Sequence, residues 1–376
     1  MKRLAGFLAA GLVLSAGLSN PAAAAPTKLI PAQGKAIPNQ YIVVLKDGPS
    51  SNAGSVAQSI GVSPKYVYDA ALNGFAATLN AGQLKALQHN PNVAYIEQDA
   101  EVVAKSTQYN PPWGLDRIDQ RNLPLNGTYN YNATAANVSA YVFDTGIDTT
   151  HPDFGGRAAN VYDAFGGTGA DCNGHGTHVA GIVGAATFGV AKAVKLRGVR
   201  ILNCNGSGTT AGVIAGINWV TSNAVKPAVA NMSIGGAANV SVDTAVNNLA
   251  NSGVFVATAG TGNACNNSPS RAANAYAVAS SDITDKAASF AGYGSCIKLY
   301  APGVNIPSTW LGGGVRTLSG DSMSAPHVAG CAAKYKGAFG DAPSSTVASW
   351  ITSNATLGVL SNVPAGTPNR LLYCPL

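Results

Sequence analysis

The sequence predicts a doubly wound parallel α/β domain preceded by a small α+β domain. Two patterns carry the larger domain. From Trp113 onward short, almost continuously apolar stretches alternate with helix-length stretches, and continuous apolar strands belong to parallel sheets covered on both faces. Polar residues set among glycines recur where such strands end, which is where open α/β sheets carry their working groups. The small domain rests on residues 26–105. There 40–46 (QYIVVLK), 65–69, 73–79 and 93–98 read as strands and 52–60 and 81–89 as helices, giving the order β-α-β-β-α-β.

In the larger domain, 140–143 (AYVF) is a short buried strand ending at Asp144, and 178–186 is helical. The segment 194–202 is extended, 210–223 helical, 228–234 a strand, 242–251 a helix and 254–259 a strand. The last long element is a small-residue helix over 324–339, and 102–110 reads as a connector.

Composition narrows the function. Of 376 residues only 11% are charged and 46% are apolar, as in a globular chain without a disordered tail. The net charge of +6 is scattered rather than clustered with aromatics, which argues against nucleic acid as a partner. Glutamate occurs only at Glu97 and Glu101, so a paired-glutamate glycosidase is excluded downstream.

Residues 1–25 carry Lys2 and Arg3, an apolar run from Leu4 to Leu18 and small residues at Ala22–Ala25, the pattern of an export leader. No run of 18 apolar residues follows, so no membrane partner is expected. The six cysteines, Cys172, Cys204, Cys265, Cys296, Cys331 and Cys374, show no CxxC spacing. An even count behind a leader favours disulfides over a zinc site, and six cysteines allow 15 pairings.

Three stretches carry chemistry: Asp144-Thr-Gly-Ile-Asp148, Asn173-Gly-His175-Gly-Thr-His178, and Ser319-Gly-Asp-Ser322-Met-Ser. A serine hydroxyl needs an imidazole to take its proton, and the imidazole needs a carboxylate to fix its tautomer. Asp144, His175 and Ser322 supply those groups. His175 and His178 lack the i, i+4 spacing and the glutamate of a zinc protease, and His178 reads as a packed core histidine, as do His151 and His327. Ser324 stands where a GxSxG serine hydrolase has its last glycine.

From Trp113 to Tyr373 the chain resembles the proteinase K branch of the subtilisin-like serine proteases. The matching stretches are WGLDRIDQRNLP, AYVFDTGID, DCNGHGTHVAG, NCNGSG, PAVANMSIGG, SFAGYGSC, SMSAPHVAG and PNRLLY, in that order. Residues 40–99, with QYIVVLK, NGFAATL and VAYIEQD, are similar to the family's inhibitory propeptide. The resemblance implies a signal peptide over 1–25, a propeptide over 26–105 and a peptidase domain over 106–376. It implies Asp144 as triad acid, His175 as general base and Ser322 as nucleophile.

The same likeness makes Ser207-Gly208 and Ser233-Ile234-Gly235 the edges that hold a peptide as an added strand. It pairs Cys172 with Cys204 and Cys265 with Cys296, leaving Cys331 and Cys374 for a third bridge. Asp116, Asp119 and Gln120 match a structural calcium site. A secreted, monomeric endopeptidase follows, of broad specificity with apolar or aromatic residues preferred before the cut, activated by self-cleavage near Lys105-Ser106.

Three departures stand against the match. Asp321 replaces the family's threonine before the nucleophile. Strict register puts Thr261 where the family has its oxyanion asparagine, with Asn263 reaching the site only if the loop is rerouted. Lys298 replaces a calcium aspartate, so a second calcium site is not expected. These departures leave an alternative, a weak or inactive homologue acting as a secreted peptide-binding protein.

Overall fold

The computed structural model describes residues 25–32, 36–48, 52–102 and 106–376. The expected leader, but for Ala25, and Lys105 of the expected cut lie outside them. The chain divides into two compact units between Glu101 and Val102.

The first unit contains β1 (Leu29–Ile30), β2 (Ala36–Leu45), α1 (Ala53–Ser59), β3 (Tyr66–Tyr68), β4 (Gly74–Thr78), α2 (Ala81–Gln88) and β5 (Val93–Ala100). The expected order is present, with the extra short strand β1 pairing parallel to β5. The sheet order is β1-β5-β2-β4-β3. Both helices start on asparagine caps: Asn52 accepts from the Ser55 amide, and Asn80 forms a capping box with Gln83. Their inner faces close a core of Val43, Val56, Phe75, Leu79, Leu87 and Ile96.

The second unit runs β6 (Ser106–Tyr109), α3 (Trp113–Ile118), β7 (Thr128–Tyr131), β8 (Ser139–Asp144), β9 (Ala158–Asp163), α4 (His175–Gly184), β10 (Lys195–Arg200) and α5 (Thr210–Asn223). It continues with β11 (Ala228–Met232), β12 (Gly236–Ala237), α6 (Val240–Asn251), β13 (Phe255–Ala259), β14 (Asn267–Ser268), β15 (Tyr276–Ser281) and β16 (Ile297–Pro302). The hairpin β17 (Ile306–Trp310) and β18 (Gly314–Leu318) leads into α7 (Asp321–Phe339), α8 (Ser344–Asn354), β19 (Thr356–Leu357) and β20 (Arg370–Leu371).

Nine of these strands form one sheet, ordered β19-β20-β16-β15-β13-β11-β8-β10-β9 and parallel except between β19 and β20. Phe143, Val199, Ile217, Val220, Val246 and Leu249 pack on one face. Val142, Leu196, Val179, Ile182, Val328 and Ala332 pack on the other. Covering both faces removes each of these side chains from water, at about 1.5–3 kcal/mol for a large aliphatic or aromatic one. The expected doubly wound fold is therefore present.

β8 lies between β10 and β11. The chain fills one side of the sheet with β9 and β10, then crosses to lay down β11, β13, β15 and β16 on the other. β8 and β11 thus flank a topological switch point, which opens a crevice at the strands' carboxyl ends.

Three local expectations change. The segment 102–110 is not all connector, because Ser106–Tyr109 pairs antiparallel with Thr128–Tyr131. Helix α4 begins at His175 rather than 178, and α7 at Asp321 rather than 324. Glycines and Pro326 masked both starts. Gly176 is required in α4 by contact, since a Cβ there would lie 2.2 Å from the Gly146 carbonyl oxygen.

Candidate active site

Asp144 is the last residue of β8 and is fully buried. Its carboxylate faces the first residue of α4: His175 Nδ1 lies 2.8 Å from Oδ1 and 2.9 Å from Oδ2. Oδ1 also accepts the Thr145 amide at 2.8 Å. A proton on Nδ1 leaves Nε2 free to accept, the tautomer a general base needs. Burial pulls the imidazole pKa down, but the charge and hydrogen bond of Asp144 and the charge of Asp171 outweigh it, and the net shift is upward.

Asp171, which sequence reasoning passed over, holds this arrangement together. Its Oδ1 accepts from the Thr145 hydroxyl at 2.8 Å and from the amides of Asn173 and Gly174 at 2.9 Å. Its Oδ2 accepts from the amide and hydroxyl of Thr177 at 2.9 and 2.6 Å. Thr145 Oγ1 in turn accepts the Gly176 amide at 2.9 Å. The end of β8 and the start of α4 are thereby tied by one carboxylate. The Asp-x-Asn-Gly sequence before His175 is the turn signal that could have exposed it.

Ser322 is the second residue of α7, where amides have no partner within the helix. Pro326, four residues on, has no N–H and leaves the Ser322 carbonyl free as well. The Ser233 hydroxyl fills that vacancy at 2.8 Å, and the Ser322 hydroxyl donates back to the Ser233 carbonyl at 3.2 Å. Ser322 therefore points at the β11 edge, and no hydrogen bond to His175 is formed in this rotamer. Such bonds commonly tighten only when substrate is bound.

The cleft beside His175 has a volume of about 780 Å³. Ser207 and Gly208 after β10, and Ser233, Ile234 and Gly235 after β11, all line it. The five expected edge residues are thus brought to one cleft with His175. Asn231 Nδ2 donates to Ser233 Oγ at 2.9 Å and backs that edge from inside the sheet.

The two oxyanion candidates separate. Asn263 Oδ1 caps a short turn by accepting the Cys265 amide at 3.1 Å, so its side chain serves the loop itself. Thr261 is exposed and leans on the cleft edge, since a Cβ on Gly235 would lie 2.6 Å from its hydroxyl oxygen. Neither side chain bonds to Ser322.

Three other histidines of the second unit serve the fold. His178 donates from Nε2 to the carbonyls of Ile306 and Arg316 at 3.1 and 3.0 Å, and burial drives its pKa down to about 4. His327 donates from Nδ1 to the Met323 carbonyl at 2.8 Å and is likewise pushed to about 4 by burial. His151 donates to the Gly314 carbonyl at 2.9 Å.

The expected calcium ligands converge on the loop after α3. Asp116 accepts the Asn126 and Gly127 amides at 3.2 and 2.8 Å. Asp119 Oδ2 accepts from the Asn130 amide at 2.7 Å, while its buried Oδ1 has no partner. Gln120 Oε1 accepts the Asn126 amide at 3.2 Å, and its nitrogen donates to the Asn122 and Pro124 carbonyls. These groups offer oxygens, as a hard cation requires, but most already accept amide hydrogens, and among the described residues no cluster of three or more acidic, histidine or cysteine side chains is gathered as for a metal. The cysteines pair as Cys172–Cys204, Cys265–Cys296 and Cys331–Cys374.

A carboxylate, an imidazole and a helix-heading serine at the switch point of a parallel sheet define a serine hydrolase of subtilisin type. Residues 135–371 match the subtilase family, and residues 40–105 match the peptidase inhibitor I9 family. The chain belongs to the subtilase family of serine proteases and carries an inhibitor-type segment before the protease segment. It is similar to the extracellular serine proteinase of Thermus sp. (strain Rt41A), 47% identical over the whole of both chains. Alkaline serine exoprotease A of Vibrio alginolyticus is 45% identical over 90% of this chain and 68% of its own length. Proteinase R of Parengyodontium album is 41% identical over 93% and 92%. A solved cold-adapted subtilisin-like serine proteinase superposes with a TM-score of 0.69 at 47% identity, covering 70% of this chain and 98% of that one.

Proposed function

We propose that the chain is a secreted endopeptidase of broad specificity that acts through an acyl-enzyme, with Ser322 as nucleophile, His175 as general base and Asp144 as its orienting acid. The observation that carries this reading is the doubly contacted Asp144–His175 pair at the mouth of a cleft with two polypeptide edges. In this reading the Ser322 hydroxyl turns from the Ser233 carbonyl toward His175 Nε2, which takes its proton as Oγ attacks the scissile carbonyl. His175 then gives that proton to the leaving amine, and water repeats the sequence to release the acyl group. The Ser322 amide, unpaired at the helix start, stabilises the oxyanion, with Thr261 as the side chain nearest the role of second donor.

The peptide lies as a strand against Ser207-Gly208 and Ser233-Ile234-Gly235, so affinity comes from backbone pairing and demands little of the sequence cut. Val213, Ile234 and Val242 in the cleft wall favour an apolar or aromatic residue before the cut. The segment 26–105 acts as inhibitor and folding aid, removed by self-cleavage near Lys105-Ser106. Asp116, Asp119 and Gln120 would hold a structural calcium ion, which would cross-link the loop between α3 and β7. No catalytic cofactor is required, and the enzyme works outside the cell as a monomer.

Expression of the full chain beside Ser322→Ala tests the reading. The parent should yield a shortened chain that digests casein, and Ser322→Ala should stay full length and inert. A folded parent that neither shortens nor digests casein would move the peptide-binding alternative ahead.

A further inference from the structure

Asp321 is an unusual neighbour for a serine nucleophile. It is 9% exposed, and no cation among the described residues pairs with it. Its carboxylate is turned into the protein, where Oδ1 accepts the Ser280 hydroxyl at 2.6 Å and Oδ2 accepts the Gly292 amide at 2.8 Å. Ser280 ends near the carboxyl end of β15 and is fully buried.

Each partner leads to a part of the site. Ser280 Oγ lies 3.0 Å from Ser324 Oγ, which also reaches the Ala301 and Pro302 carbonyls at 3.0 and 3.2 Å. Asp321, one residue before Ser322, and Ser324, two after it, therefore meet on one serine. Gly292 packs directly on Gly260, since a Cβ at Gly292 would lie 2.4 Å from the Gly260 carbonyl oxygen. Gly260 immediately precedes Thr261. A chain of contacts thus runs from the residue before the nucleophile to the segment that flanks the oxyanion.

We propose that Asp321 is a positioning residue: through Ser280 and Gly292 it fixes where the Ser322 turn stands relative to the Gly260–Thr261 segment. Asp321 touches no substrate and acts through the backbone of its neighbour. The proposal rests on Ser322 being the nucleophile. Burial pushes the carboxyl up to about 7, against the hydrogen bonds from Ser280 and Gly292 that pull it down. Its titratable neighbour is Tyr300 of β16, itself pushed up to about 12 by burial and by Asp321. Ser280 and Gly292, the groups on the other packed elements, do not titrate.

The test compares Asp321→Ala, Asp321→Asn and Ser280→Ala on a chromogenic peptide anilide across pH 5.5–9, with Ser322→Ala as reference. Asparagine can keep both links, its oxygen accepting the Gly292 amide and its nitrogen donating to Ser280. Asp321→Ala should lower kcat by about tenfold or more with KM within about twofold, the mark of lost alignment rather than lost binding. Asp321→Asn should restore kcat to within about threefold of the parent and remove one ionisation from its kcat–pH profile. If Asp321→Ala fails to mature, Ser280→Ala carries the test, with an expected loss of about three- to tenfold in kcat. The proposal is overturned if the alanine variant that matures, or Ser280→Ala in its place, keeps the parent's kcat. It is equally overturned if Asp321→Asn is as impaired as Asp321→Ala. Activity surviving in Ser322→Ala would instead sink the triad reading beneath it.

Discussion

Ser233 and Ser322 are joined in both directions, hydroxyl to carbonyl each way, at 2.8 and 3.2 Å. The first bond exists because Pro326 leaves the Ser322 carbonyl without its helical donor. Ser233→Ala should strand that carbonyl, costing about 1–3 kcal/mol of stability and lowering kcat/KM by about tenfold. Denaturant unfolding and anilide kinetics on the variant check both. An unchanged kcat/KM would mean the reciprocal pair has no bearing on Ser322.

Asp171 collects five donors from Thr145, Asn173, Gly174 and Thr177. Asp171→Ala should cost roughly 3 kcal/mol or more, since several hydrogen bonds to a charge are lost together. It should also lower kcat more than it raises KM, because the start of α4 positions His175. Asp171→Asn, which retains some acceptors, should fall between the parent and the alanine variant.

The pH dependence of activity follows from the raised His175 pKa. The imidazole acts as a base only when neutral, so kcat/KM should rise with pH through a midpoint above 6.5, the ordinary histidine value. A midpoint below 6.5 would contradict the Asp144–His175 pairing as the controlling interaction.

Two histidines buried in the neutral form should cost the fold stability as the solution is made acidic. His178 and His327 have folded pKa values near 4 against 6.5 unfolded, so between these limits the unfolded chain binds more protons. Each therefore stabilises the fold above pH 6.5 and loses that contribution as pH falls toward 4. Asp321 works oppositely: its folded value near 7 exceeds the unfolded 3.8, so it gains stability over the same range. Asp119, likewise raised by burial, also opposes the histidines, so the decline is read against a His327→Gln variant, whose curve should fall less steeply than the parent's. Urea unfolding of the mature chain, blocked by a sulfonyl fluoride against self-digestion, should show it between pH 6.5 and 4. Parallel curves for parent and variant would mean His327 is not held neutral by burial as described.

Chelation should destabilise the protein through the loop after α3. A cation held at a hundred times its dissociation constant is worth about 2.7 kcal/mol. Removing it with EGTA should lower the Tm of the blocked mature chain, and Asp119→Asn should abolish that response. A Tm insensitive to EGTA in the parent would argue against calcium at Asp116, Asp119 and Gln120.

The sequence made the large elements and the three candidate residues of the site legible because both are written locally. Helix α5 matches its apolar spacing end to end, and Asp144, His175 and Ser322 each stand beside glycines that open the backbone. What stayed hidden depends on distant partners. β6 is four residues of polar character, Ser-Thr-Gln-Tyr, and exists only because β7 pairs with it 20 or so residues on. Asp321 read as a charge beside the nucleophile. Its true partners, Ser280 and Gly292, are 41 and 29 positions away, and no local pattern points to them. Asn263 and Thr261 could not be separated until the Cys265 amide was seen to occupy one of them.

The three cross-links all fall in the second unit, closing separations of 32, 31 and 43 residues, and the first unit contains no cysteine. A protease accumulates among copies of itself, and whichever segment opens more often is eaten first. Covalent loops restrict opening on one side of the Glu101/Val102 boundary and leave the other side to its packing alone. Durability is thus distributed unequally along a single polypeptide. On the proposed function, the inhibitor-type segment is then the perishable part, and the protease segment is built to outlast it.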